Sequence, residues 1–250
     1  MTDLAWQAWA VIVLALAAGG LNKGITGLGL PGIAVPIMAI FLGVEQAVMI
    51  MVMPTLITNL WLTWRLRDCY REVPEVTRVA IAGVPGIALG AAVLYLASEK
   101  FLATVLALWV LAYLVLRFMH PELSLAREAR FRLAYPVGFA SGTLQGATGI
   151  CAPVIVPYVD AIGANPRTYV FTFSAVFMSL SLTHLIILGS LHAYTPLLFG
   201  QSLLAVVPAM IFVPVGNWLR QFIRAELFSV LIRVLLFVTA ARLLYGAWSV

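Results

Sequence analysis

A chain of 250 residues that is 63% hydrophobic and only 10% charged has too little polar surface to cover a water-exposed globule, since soluble domains carry about 25% charged residues. Its mean hydropathy of +1.03 makes lipid the solvent over most of its surface, where the backbone can satisfy itself only as helices or a closed barrel. The net charge of +5 sits on arginines between the apolar runs, which is the bias of cytoplasmic loops and not a nucleic-acid surface.

The apolar runs cover residues 4–21, 31–43, 46–64, 77–97, 101–118, 133–147, 152–162, 168–189, 194–215 and 227–248. They are continuous and do not alternate over about ten residues, which selects helices over a barrel. The first run has the small-x-small look of a secretion signal at Ala15-Leu16-Ala17. It lacks a basic start, however, with Asp3 the only charge before Lys23, so it reads as the first membrane helix. Runs 31–43 and 152–162 are too short to cross about 30 Å of hydrocarbon comfortably at about 1.5 Å per residue. Each follows a Gly-rich, Pro-marked break and is expected to be a half-helix or the returning arm of a re-entrant hairpin. The expected fold is an all-α polytopic membrane protein with about 8–10 membrane segments.

Arg65, Arg67, Arg71 and Arg78 fall in one loop, Arg117, Arg127, Arg130 and Arg132 in another, and Arg167, Arg220 and Arg224 in later ones. The segments 43–46 and 189–195 contain no Arg or Lys. Placing the basic loops inside puts the N-terminus outside and makes the halves an inverted pair. The expected organisation is a first repeat over 1–119, a cytoplasmic linker over 120–132 and a second repeat over 133–250. The linker reads HPELSLAREARFR, with Pro121 suited to a first helical position and charges of alternating sign, which predicts a short surface helix. Cys69 and Cys151 form no spacing motif and no disulfide framework.

Self-comparison reveals a duplication. Gly24-Ile25-Thr26-Gly27-Leu28-Gly29-Leu30-Pro31 aligns with Gly146-Ala147-Thr148-Gly149-Ile150-Cys151-Ala152-Pro153, and each copy has a further proline, Pro36 or Pro157. Downstream, Val84-Pro85-Gly86 pairs with Val207-Pro208-Ala209, and Ser98-Glu99-Lys100-Phe101 with Ala225-Glu226-Leu227-Phe228. Glycines let the backbone leave the helix, the proline pre-sets the next first turn, and a threonine hydroxyl can turn toward the freed amides. A helix start inside the membrane carries partial positive charge and unpaired N–H groups, which favour an anion. Two such starts brought together near the midplane make an anion site.

The candidate substrate residues are Asn22, Lys23, Gly24, Thr26, Gly27, Gly29 and Pro31 in the first copy. Gln145, Gly146, Thr148, Gly149, Cys151 and Pro153 are their counterparts in the second. Asn59 and Ser174 join them from the corresponding stretches Pro54–Asn59 and Ser174–Ser179, within a wider set of neutral polar groups that includes Thr55, Thr58, Ser179 and Ser181.

At this motif, and over essentially its whole length, the chain resembles the TauE/SafE family of permeases named for sulfite export. The Gly-rich segment Gly83-Val84-Pro85-Gly86-Ile87-Ala88-Leu89-Gly90 and the E-x-F start of the last helix of each half belong to the resemblance. It implies transport of sulfite, thiosulfate, sulfonates or related organic anions. The first motif departs from the Gly-Gly-Gly form common in the family, and Cys151 stands where a glycine is usual.

Two readings of Lys23 stand side by side: an ammonium held at depth for a substrate, or one that snorkels to the cytoplasmic face. Arg233 is expected to snorkel toward the side of Arg224, His184 to be hydrogen-bonded structure, and Glu45 and Asp160 to lie at solvated segment ends. His120, His184 and His192 are scattered, which argues against a metalloenzyme, and no catalytic constellation or cofactor motif is present. The expected partners are a small anion and the lipid bilayer of a plasma (inner) membrane, with a homodimer compatible. Expelling one negative charge from a negative interior gains about 2.3 kcal/mol per 100 mV, so export is the expected direction. The alternatives are proton-coupled uptake of an organic anion and a non-transporting membrane scaffold.

Overall fold

The computed structural model describes residues 2–27, 29–119, 125–222 and 225–248. Met1, Leu28, residues 120–124, Ile223, Arg224 and residues 249–250 lie outside the described residues, and with them the first part of the expected linker and the arginine toward whose side Arg233 is expected to snorkel. The described residues are helical, without strands: α1 (Thr2–Thr26), α2 (Leu30–Leu42), α3 (Val44–Arg65), α4 (Val76–Leu96), α5 (Glu99–Met119), α6 (Arg127–Thr148), α7 (Ala152–Ile162), α8 (Pro166–Ser190), α9 (Pro196–Leu204), α10 (Val206–Leu219) and α11 (Ala225–Trp248). A short 3-10 turn over Arg67–Glu72 joins α3 to α4.

Seven spans are long and apolar enough to cross a membrane, with α9 and α10 forming one of them across Pro196–Leu219. Helix α6 is 22 residues long but opens with Arg127, Glu128, Arg130 and Arg132. Residues 127–132, expected in a separate surface helix, are its first turns. Helices α2 and α7 remain short, at 13 and 11 residues.

The helix starts follow from local chemistry. Asn165 caps α8 by accepting from the N–H groups of Arg167 and Thr168, with Pro166 in the first position. Thr195 caps α9 through Leu198 N–H. Helix α3 has no cap of its own, and the Glu99 carboxylate of α5 accepts from Val44 N–H at 2.7 Å.

Glycine sets the closest packing, because helix backbones approach most closely where no Cβ intervenes. A methyl group on Gly24 of α1 would lie 2.2 Å from the Val213 carbonyl oxygen and 2.5 Å from Asn217 N of α10. One on Gly146 of α6 would lie 2.7 Å from the Ile87 carbonyl oxygen and 2.8 Å from Ala91 N of α4. The two crossings use the same backbone atoms, so Ile87 answers to Val213 and Gly90 to Gly216. This corrects the register read from Val84-Pro85-Gly86 and Val207-Pro208-Ala209 by about one helical turn.

The arginine-rich ends meet at one side of the bundle. Asp68 pairs with Arg167 at 3.0 Å. Glu72 accepts from Asn165 Nδ2 at 3.0 Å and from Thr168 Oγ1 at 2.5 Å. The guanidinium of Arg78 lies 4.5 Å from the Phe131 ring centre. At the opposite end Lys100 sits over the Trp248 ring at 4.2 Å.

Candidate functional site

Both motif copies break their helices. Gly27 and Gly29 lie in the left-handed region at φ 83° and 88°, and Gly149 at φ 71°, conformations that L side chains adopt at a cost. Cys151, the counterpart of Gly29, has φ −117°. A cysteine is therefore sterically admissible in the second copy, where the first requires glycine. Cys151 is wholly buried.

Both threonines donate back to the carbonyl one turn earlier. Thr148 accepts from Ile150 N–H at 3.3 Å and donates to the Leu144 carbonyl at 2.8 Å, so it meets one freed amide as expected. Thr26 is exposed and donates back to the Asn22 carbonyl at 2.8 Å.

The starts of α2 and α7 share a cavity of about 30 Å³, lined by Asn22, Gly29 and Gly32 from the first copy and by Ile150 and Ala152 from the second. That volume holds about one water molecule. Phe173 and Phe177 of α8 close one side, with Val110 and Tyr113 of α5 and Ile232 and Leu236 of α11 forming the rest of the wall. The Asn22 side chain covers Gly29, whose Cβ would stand 2.8 Å from Asn22 Nδ2. Of the candidate residues, Asn22 and Gly29 reach the cavity, whereas Gln145, Asn59 and Ser174 do not line it.

Lys23 points inward. It is 5% exposed, and its ammonium donates to Asn59 Oδ1 at 2.7 Å and Thr58 Oγ1 at 3.1 Å. Asn59 in turn donates to the Thr55 carbonyl at 2.7 Å, which fixes its oxygen toward the lysine. The snorkelling alternative is excluded. Among the described residues no carboxylate bridges to Lys23.

In the second half, Gln145 and Ser174 are buried. The starts of α3 at Val44 and α8 at Pro166 put Asn59 in register with Ser181, two residues away from the expected pairing of Pro54 with Ser174. His184 is 1% exposed with Nε2 unpartnered, which corrects its reading as a hydrogen-bonded structural group. Glu45 and Asp160 lie exposed at helix ends as expected, Asp160 accepting from Tyr169 at 2.8 Å. The aromatic wall went unread in the sequence. Its one local signal was the i, i+4 pair Phe173 and Phe177, whose ring centres stand 6.4 Å apart.

Seven spans long and apolar enough to cross a membrane, with two shorter apolar helices among them, define an integral membrane protein. The family model described as Sulfite exporter TauE/SafE matches residues 11–243. The chain belongs to this family of membrane transporters for sulfite and organosulfur anions. No curated protein and no solved structure matches the chain.

Proposed function

We propose that the protein exports a small sulfur-containing anion, sulfite or a related sulfonate or thiosulfate, across a plasma (inner) membrane. The observation that carries this reading is Lys23. Its buried amine nitrogen rests on two neutral acceptors, Asn59 and Thr58, which leaves one N–H of its ammonium form for an anion. A lysine at membrane depth costs about 2.5–3.5 kcal/mol on insertion scales, and a bound anion offsets that cost. The starts of α2 and α7 add partial positive charge at the shared cavity.

An inverted repeat supports the site. Helix α1 packs on α10 as α6 packs on α4. The end of α3 meets the start of α8 through Asp68 and Arg167, so these counterpart helices run in opposite directions. With the arginine-rich end inside, the N-terminus is outside. A cavity of about 30 Å³ must widen to admit a sulfur oxyanion, so the described conformation is a closed one in the transport cycle.

The test is the unfolding midpoint of detergent-purified protein with sulfite, thiosulfate, sulfoacetate, acetate and chloride. Selective stabilisation by a sulfur anion, lost in Lys23→Gln, is expected. No response to any of them at millimolar concentration would overturn the reading.

A further inference from the structure

The halves stay in register from the motif into the next long helix. Lys23 answers to Gln145, Val44 at the start of α3 to Pro166 at the start of α8, and Asn59 to Ser181. In the first half this register sets an ammonium on side-chain oxygens, with Lys23 Nζ 2.7 Å from Asn59 Oδ1. In the second half the lysine is replaced by glutamine. Gln145 is 4% exposed and Ser181 1%, yet neither Gln145 Oε1 nor Ser181 Oγ has a hydrogen-bond partner in the protein.

Helices α6 and α8 both pack against α4, about two turns before Gln145 on α6. A Cβ on Gly83 of α4 would meet Leu180 Cδ2 of α8 at 2.3 Å and the Gly138 carbonyl of α6 at 3.5 Å. Ser141, one turn before Gln145, and His184, one turn after Ser181, are also fully buried, and Ser141 Oγ and His184 Nε2 lack partners too. An unsatisfied polar atom in the hydrocarbon region is expensive. The Gln145 oxygen is a pure acceptor, so it needs a donor or a cation.

We propose that Gln145 Oε1 and Ser181 Oγ bind a small monovalent cation of the sodium type, in the place that the Lys23 ammonium fills in the other half. Hard cations take neutral oxygen ligands, and water completes the shell. With the ion bound, each half carries one positive charge beside its half-helix start. The site stands independently of the anion reading, because it is tested without any transported anion.

The experiment is the unfolding midpoint of the full chain in detergent, in sodium, potassium and choline chloride at one ionic strength and pH. Sodium at a hundred times its Kd is expected to raise the midpoint by about 5 °C or more over choline. Gln145→Leu and Ser181→Ala should abolish the rise. Gln145→Lys keeps the fold measurable if those variants fail. It supplies a tethered ammonium and should raise the sodium-free midpoint while removing the sodium response. An equal midpoint in all three salts would mean that the pocket holds water only and would overturn the proposal. So would a response to pH in place of sodium that disappears in His184→Gln, since that assigns the pocket to a proton.

Discussion

Lys23 and Asn59 lie 36 residues apart in sequence and meet through their side chains, Nζ to Oδ1, at 2.7 Å. The contact links the break at the end of α1 to the C-terminal half of α3 and turns a lone membrane lysine inward. It supplies the sharpest test of the anion site. Lys23→Arg retains a cation, whereas Asn59→Asp supplies a counter-charge from within the protein. Asn59→Asp should fold at least as well as wild type yet lose at least about tenfold in anion affinity, equivalent to about 1.4 kcal/mol. Binding titrations beside unfolding midpoints separate the two effects. Undiminished affinity in Asn59→Asp would rule out Lys23 as the anion contact.

Gly24 and Gly32 predict opposite kinds of damage. A Cβ on Gly24 falls 2.2 Å from a carbonyl of α10, whereas one on Gly32 meets nothing within 4 Å. Gly24→Ala should force α1 and α10 apart and lower the yield of folded protein, as overpacking typically costs about 1–3 kcal/mol. Gly32 lines the shared cavity, so Gly32→Ala should fold normally and reduce transport. Size-exclusion profiles and proteoliposome flux, measured together, check both.

The two breaks should tolerate exchange unequally. Gly29 has φ 88° with Asn22 Nδ2 against its Cβ position, whereas Cys151 has φ −117°. Gly29→Ala should destabilise by about 1–2 kcal/mol from its backbone conformation alone. Cys151→Ala should change the unfolding midpoint little. Equal loss in both variants would contradict the difference in backbone geometry.

Export of a charged anion responds to voltage. Efflux from vesicles with a negative interior should slow when the potential is collapsed, because about 2.3 kcal/mol per 100 mV is withdrawn for each charge moved. Unchanged efflux in depolarised vesicles would exclude an electrogenic step.

The chain's membrane character and the two helix breaks were legible from sequence because each depends on local properties. Run length against bilayer thickness identified α2 and α7 as shorter than a membrane span. Glycine and proline in G-x-T-G-x-x-x-P act on their own backbone, and the copies recur in order. What lay beyond reach depended on neighbours distant in the chain. Sequence left Lys23 between solvent and interior, and only the arrival of Thr58 and Asn59 on α3 decides the matter. Apolar spans resemble one another, so the pairing of α4 with α10 slipped by about a turn until backbone contact at Gly90 and Gly216 set it. The walls of the cavity come from α5, α8 and α11. Which face of an apolar helix meets a cavity and which meets lipid is a property of packing, and hydropathy does not distinguish them.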